Sequence, residues 1–110
     1  MSEQPVGATF PLASAPAPDE LVSLTIDGHE VVLANVDGQL HAVDGTCTHE
    51  ECPLIKGWVD GGCIVCECHG GTFDLRTGEP VDGPVLVPVR VHSVDVHGDS
   101  FTVRLRIDGA

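Results

Sequence analysis

Aromatic residues are scarce in this sequence, which has no tyrosine, one tryptophan and three phenylalanines among 110 residues. A buried core must therefore be built mainly from valine, leucine and isoleucine. Hydrophobic residues make up 42% of the chain, which is enough for a folded protein. The length accommodates one domain with a modest core and leaves no room for a second.

Basic residues are equally few. Five lysines and arginines face 17 acidic residues, giving a formal net charge of −12. Such a surface repels nucleic acid and anionic membranes, so we expect neither as a partner. It favours a partner with a basic docking patch, approached by a salt-sensitive encounter. The alternative is that the acidity only keeps the protein soluble.

Long apolar runs are absent as well. No segment contains the roughly 20 consecutive apolar residues that a membrane helix needs. The stretch from Met1 to Pro5 lacks the basic start and apolar run of a signal peptide. We therefore expect a cytoplasmic protein without a membrane anchor.

Turn signals divide the chain into strands. Asp27-Gly28 and Asp37-Gly38 separate three β-rich segments, Leu21–Ile26, His29–Val36 and Gln39–Asp44. Asp-Gly between such segments predicts tight hairpins, because glycine tolerates the positive φ of a type I′ turn. The sequence thus predicts a three-stranded antiparallel meander.

The remaining segments also favour strands. In the last one, alternate positions are apolar at 101, 103, 105 and 107, as in a half-buried antiparallel strand. Further strands are predicted at residues 6–12, 58–59, 63–66, 85–91, 94–96 and 101–107. No stretch has convincing helical periodicity. The predicted class is all-β, a small antiparallel sandwich or barrel.

Two mixed cysteine and histidine motifs lie in the Gly- and Pro-rich middle of the chain. Cys47 and His49 form C-x-H, and Cys66 and His69 form C-x-x-H after sixteen intervening residues. Structural zinc sites more often pair like with like, so a zinc module is the alternative interpretation. One sulfur and one nitrogen from each motif suit a two-iron cluster whose sulfurs bind one iron and whose imidazoles bind the other.

The flanking residues sharpen this interpretation. Three segments resemble the cluster-binding segments of Rieske proteins: the first box (residues 47–54), the second box (residues 66–74) and a third, proline-bearing loop (residues 77–84). The resemblance extends from about the first Asp-Gly turn to the C-terminus. It implies an all-β Rieske domain over residues 1–110. A base subdomain would comprise about 1–44 and 86–110, and a cluster-binding subdomain about 45–85.

The resemblance also implies a ligand set. Cys47 and Cys66 would be the thiolate ligands of a Rieske-type [2Fe-2S] cluster, and His49 and His69 the imidazole ligands. Two neutral imidazoles in place of thiolates make electron uptake easier than in plant-type clusters. The other histidines, His29, His41, His92 and His97, are expected to have surface or structural roles.

Cysteines at the positions of Cys52 and Cys68 form a disulfide in high-potential Rieske proteins, and the resemblance implies the same bond here. The alternative is a pair of free thiols, since the cytoplasm disfavours disulfides. Cys63 is then expected to be a small core residue. Gly71 and Phe73 stand where those proteins have a serine and a tyrosine that donate to the cluster, so we expect a low reduction potential.

Among Rieske proteins, the chain resembles the ferredoxin components of bacterial ring-hydroxylating dioxygenase systems. This implies a monomeric one-electron carrier between a flavin-dependent reductase and a terminal Rieske oxygenase, with no catalysis of its own. No residue set resembles a nucleophile with its base. Two further alternatives are a Rieske carrier for another oxidoreductase pathway and a redox sensor acting through Cys52 and Cys68.

Overall fold

The computed structural model describes residues 7–46, 52–67, 71–82 and 87–106. These residues form ten strands and two 3-10 turns, at Leu12–Ser14 and Leu54–Lys56. The strands are β1 (Gly7–Pro11), β2 (Leu21–Ile26), β3 (His29–Val36), β4 (Gln39–Asp44), β5 (Trp58–Asp60), β6 (Cys63–Val65), β7 (Thr72–Asp74), β8 (Pro80–Asp82), β9 (Val91–His97) and β10 (Ser100–Arg104). No α-helix occurs within these ranges, so the predicted all-β class is confirmed.

Six strands form one antiparallel sheet in the order β1-β10-β9-β4-β3-β2. The predicted meander is confirmed residue for residue, since Ile26 pairs with His29 and Val36 with Gln39. The two intervening residues of each turn have positive φ, between 52° and 88°. This is the type I′ geometry that favours Asp-Gly.

Four short strands form a second antiparallel sheet in the order β5-β6-β7-β8. Its first hairpin turns at Gly61 and Gly62, both with positive φ, as the sequence predicted. The six-stranded sheet uses residues from 7–44 and 91–104, and the small sheet residues from 58–82. The division into two subdomains stays a prediction.

Two hydrophobic clusters lie on opposite faces of the large sheet. Side chains of β3 point alternately into the two clusters. Val31 and Leu33 belong to one, called here the barrel cluster, and Val32 and Ala34 belong to the other, which is shared with the small sheet. The barrel cluster is completed by Ile26, Ala42, Phe101, Val103 and Leu105. Residues of both edge strands, β1 and β2, pack against it, so the large sheet curls around this core.

The prediction of a strand at residues 85–91 is wrong over residues 87–90. These residues are not in a strand, and β9 begins at Val91. Pro88 has no N–H to donate to a ladder. The N–H of Val89 donates to the Gly78 carbonyl instead, at 2.9 Å. Residues 85 and 86 lie outside the described ranges.

The described helical turns are short: none of them is long and apolar enough to cross a membrane.

Candidate metal centre

The two ends of the first box are held together by backbone pairing. Thr46 forms an antiparallel bridge with Pro53. The N–H of Leu54 donates to the Gly45 carbonyl at 2.8 Å. The predicted ligands Cys47 and His49 lie outside the described residues. The structure therefore shows a closed base for the first box: these backbone contacts hold together the two ends of the segment that carries both ligands.

Backbone pairing also holds the start of the second box. Strand β6 pairs with β7 up to Val65 and Thr72. Beyond this pair the N–H of Cys66 donates to the Gly71 carbonyl at 2.7 Å. Cys66 therefore lies at the hairpin end of the small sheet, one residue before this described range ends at residue 67. The predicted ligand His69 lies outside the described residues.

Both boxes rest on one buried cluster. Cys52 at the end of the first box and Cys66 at the start of the second both belong to it, with 8% and 1% of their surfaces exposed. Its fully buried members include Leu54, Ile64 and Phe73. A thiol at Cys66 is thus shielded from water, as a cluster ligand requires.

Cys52 is disulfide-bonded. Its predicted partner, Cys68, lies outside the described residues, so the pairing stays a prediction. Three of the four predicted ligands lie there as well. Within the described ranges, no three histidine, cysteine, aspartate or glutamate side chains are grouped so that they could hold a metal ion. The ligand set also stays a prediction.

The third loop is tied to the base of β9. The N–H of Gly78 donates to the Asp74 carbonyl at 2.7 Å, and its own carbonyl accepts from Val89 at 2.9 Å. Gly78 has φ +79°, and a Cβ there would overlap the Val89 carbonyl oxygen. Only glycine satisfies both conditions. The chain on either side of residues 83–86 is therefore fixed close to the small sheet.

His92 has a structural role, one of the two kinds of role expected for the histidines outside the two motifs. Its ring is buried, and Nδ1 accepts from the Arg106 N–H at 2.9 Å. The other ring nitrogen, Nε2, lies 2.8 Å from Oδ1 of Asp44. The sequence pattern alone does not indicate this pairing. The available signal was the alternation in β9, which places His92 in line with Val94 on the inward face.

His41 and Cys63 line a cavity of about 220 Å³ at the seam of the two sheets, together with Asp74 and Arg76. Burial and the Arg76 guanidinium lower the pKa of His41, and Asp74 partly opposes them. Burial, Asp74 and Asp60 raise the pKa of the Cys63 thiol. Cys63 is a free cysteine of intermediate exposure and belongs to neither hydrophobic cluster, so the expectation that it is a core residue is wrong.

Comparison with protein families gives a match to the Rieske [2Fe-2S] domain over residues 8–101. Among curated relatives, the biphenyl dioxygenase ferredoxin subunit of Pseudomonas sp. (strain KKS102) is 34% identical over 87 residues. That match covers 78% of this chain and 80% of the relative.

Solved structures agree in fold. The ferredoxin of carbazole 1,9a-dioxygenase from Nocardioides aromaticivorans IC177 is 31% identical, with a TM-score of 0.81 over 92% of this chain and 97% of that one. A chain of the complex of reduced oxygenase and oxidized ferredoxin in carbazole 1,9a-dioxygenase is also 31% identical. Its TM-score is 0.81 over 87% of this chain and 99% of that one.

Proposed function

This chain belongs to the Rieske [2Fe-2S] family, and from that membership we propose that it is a one-electron carrier that delivers electrons to a terminal ring-hydroxylating oxygenase. The similarity to ferredoxin components of dioxygenase systems supports this role. The structure that includes an oxygenase in complex with a ferredoxin supports the choice of acceptor. As such a component the chain catalyses no reaction by itself. A flavin-dependent reductase would supply the electrons, in the cytoplasm.

The family's cofactor is a Rieske-type [2Fe-2S] cluster, and the described residues fit it. Cys66 places a buried thiol at a hairpin end, beside the closed base of the first box. Cys47, His49 and His69 would complete the ligand set. When bound, the cluster accepts and releases one electron at a time.

The single observation that carries the proposal is the meeting of the two boxes on one buried core. Cys52 and Cys66 come from separate boxes and share that core with Leu54. Two sulfur- and nitrogen-bearing segments anchored side by side suit a centre that takes ligands from both. A structural zinc site gives no reason for the similarity to ferredoxin components over four-fifths of a relative's length.

The surface around the small sheet supports a protein partner. Three large apolar side chains in this part of the chain are more than half exposed: Trp58, Val81 and Val87. Val81 and Val87 lie in sequence on either side of residues 83–86, which comprise the end of the third loop and the two residues after it. The net charge of −12 adds attraction to a basic partner surface. We therefore expect oxygenase binding to weaken steeply as salt is added.

The test is an EPR spectrum of the dithionite-reduced protein, with iron and labile sulfide analysis. The proposal predicts two irons, two sulfides and the lower average g of mixed histidine and cysteine ligation. His49→Ala and His69→Ala should each abolish that signal. His97→Ala is the matched control and should preserve it, because that ring hydrogen-bonds the Thr102 hydroxyl in the β9–β10 hairpin. A colourless protein that binds zinc would refute the carrier role.

A further inference from the structure

The 3-10 turn Leu54–Lys56 connects the two boxes through backbone contacts. At its start, the N–H of Leu54 donates to the Gly45 carbonyl, which closes the base of the first box. At its end, the N–H of Gly57 donates to the Leu54 carbonyl at 2.9 Å. Gly57 is thus held one hydrogen bond away from the residue that anchors the first box.

Gly57 lies directly against the strand that carries the second box. A Cβ built on Gly57 would overlap the Val65 carbonyl oxygen, with the Val65 carbonyl carbon close behind it. The backbone of Gly57 has φ −87°, which other residues also adopt. Glycine is needed here because of this contact, and the backbone conformation does not require it.

The carbonyl that Gly57 contacts belongs to the peptide unit joining Val65 to Cys66. The nitrogen of the same unit donates to the Gly71 carbonyl at 2.7 Å. One peptide unit is therefore fixed from two sides, by Gly57 at its oxygen and by Gly71 at its N–H. That unit immediately precedes the Cys66 side chain, so its position determines where the thiol begins.

We propose that Gly57 is a positioning residue that sets the separation of the first box from Cys66. Any side chain at position 57 would push the Val65 carbonyl away from the 3-10 turn, and Cys66 would move with it. Packed backbone leaves little space to absorb such a shift. The inference rests on the proposed role of Cys66 as a cluster ligand.

Gly57→Ala tests this in the cluster-loaded protein, and Gly98→Ala is the matched control. Gly98 has φ +62° in the β9–β10 turn and open space around its Cβ position. Alanine there strains the backbone without touching either box. Both variants should lower Tm. Only Gly57→Ala should shift the EPR g values and the midpoint potential, or lose iron while the far-UV CD signal of the sheets is retained.

A Gly57→Ala protein with wild-type g values, potential and iron content would overturn the inference, and so would a wholly unfolded one. Wild-type protein without any Rieske signal would refute the proposed function instead, which keeps the two failures distinct.

Amide hydrogen exchange of the loaded wild-type protein gives a test without substitution. Because the turn joins the boxes, the amides of Leu54, Gly57 and Cys66 should exchange through one opening event with similar protection. Rapid exchange at Leu54 and Gly57 with strong protection retained at Cys66 would show that the turn does not hold the second box, and would overturn the inference.

Discussion

Nε2 of His92 donates to the carboxylate of Asp44 across 2.8 Å. The direction follows from the other ring nitrogen: Nδ1 accepts the Arg106 N–H at 2.9 Å, so the proton of the neutral ring sits on Nε2. Asp44 is the last residue of β4, and its neighbour Gly45 closes the first box. The pair thus fixes the strand that leads into the candidate metal centre.

Asp44→Ala should lower the free energy of unfolding by about 1–3 kcal/mol, because it leaves a buried N–H donor without an acceptor. Only 1% of the His92 side chain is exposed, against 39% of the Asp44 side chain, so water entering at the Asp44 side would keep the loss towards the lower end of this range. Urea unfolding measures the change. Asp95→Ala is the control: it removes an exposed ion pair with Arg104, a kind worth about 0–1 kcal/mol. Equal losses in the two variants would contradict the assigned hydrogen bond.

Cys52→Ser should cost about 3 kcal/mol, since the disulfide closes a loop of roughly 15 residues if its partner is Cys68. Cys68→Ser should have the same effect, and the double variant should lose no more than either single one. Cys63→Ser is the control, because Cys63 is free. Mass spectrometry after alkylation counts the thiols, and a peptide linking Cys52 to another cysteine would refute the pairing.

The midpoint potential should fall towards the lower end of the Rieske range of about −150 to +300 mV. Phe73 is fully buried and offers no hydroxyl. Phe73→Tyr should raise the potential, because a donor near the cluster sulfurs stabilises the reduced state. Phe101→Tyr is the control, since Phe101 is buried in the barrel cluster. A wild-type value above about +100 mV, measured by voltammetry, would contradict the argument from missing hydroxyls.

Acidification should destabilise the protein partly through His41. Its folded pKa lies below the ordinary 6.5, mainly because of burial and Arg76. As the pH falls through about 6.5, the unfolded chain therefore takes up a proton before the folded one does. The His41 contribution to stability is complete above that pH and declines below it. His41→Gln should flatten the decline of the urea midpoint between pH 7 and 5; an unchanged slope would exclude this role.

Local sequence signals determined most of the large sheet. The three meander strands were predicted to the residue because Asp27 and Asp37 each precede a glycine, and this pair strongly favours one turn type. The last strand was predicted from alternation, and Phe101 and Val103 are indeed fully buried. Such signals act over a few residues, so one sequence suffices to find them.

Non-local contacts could not be predicted in this way. Residues 87–90 resemble a strand in composition. In the structure, however, the Val89 N–H donates to the Gly78 carbonyl, and the Arg90 carbonyl accepts from the Asp44 N–H. The clash that requires Gly57 depends on its distance from the Val65 carbonyl, which the β5–β6 hairpin brings close and which composition does not reveal. The four candidate ligands were found because their types and spacing are themselves chemically specific. The contacts that hold the described one, Cys66, were found only in the structure.

Strand β3 contributes a side chain to each of the two hydrophobic clusters, so each cluster can have its own reporter. Val32 faces the cluster beneath the two boxes, and Leu33, its neighbour in sequence, faces the barrel. A spectroscopic label at position 32 would respond to loading of the metal centre. The same label at position 33 would respond to the barrel cluster, so two adjacent substitutions can separate events in the two clusters.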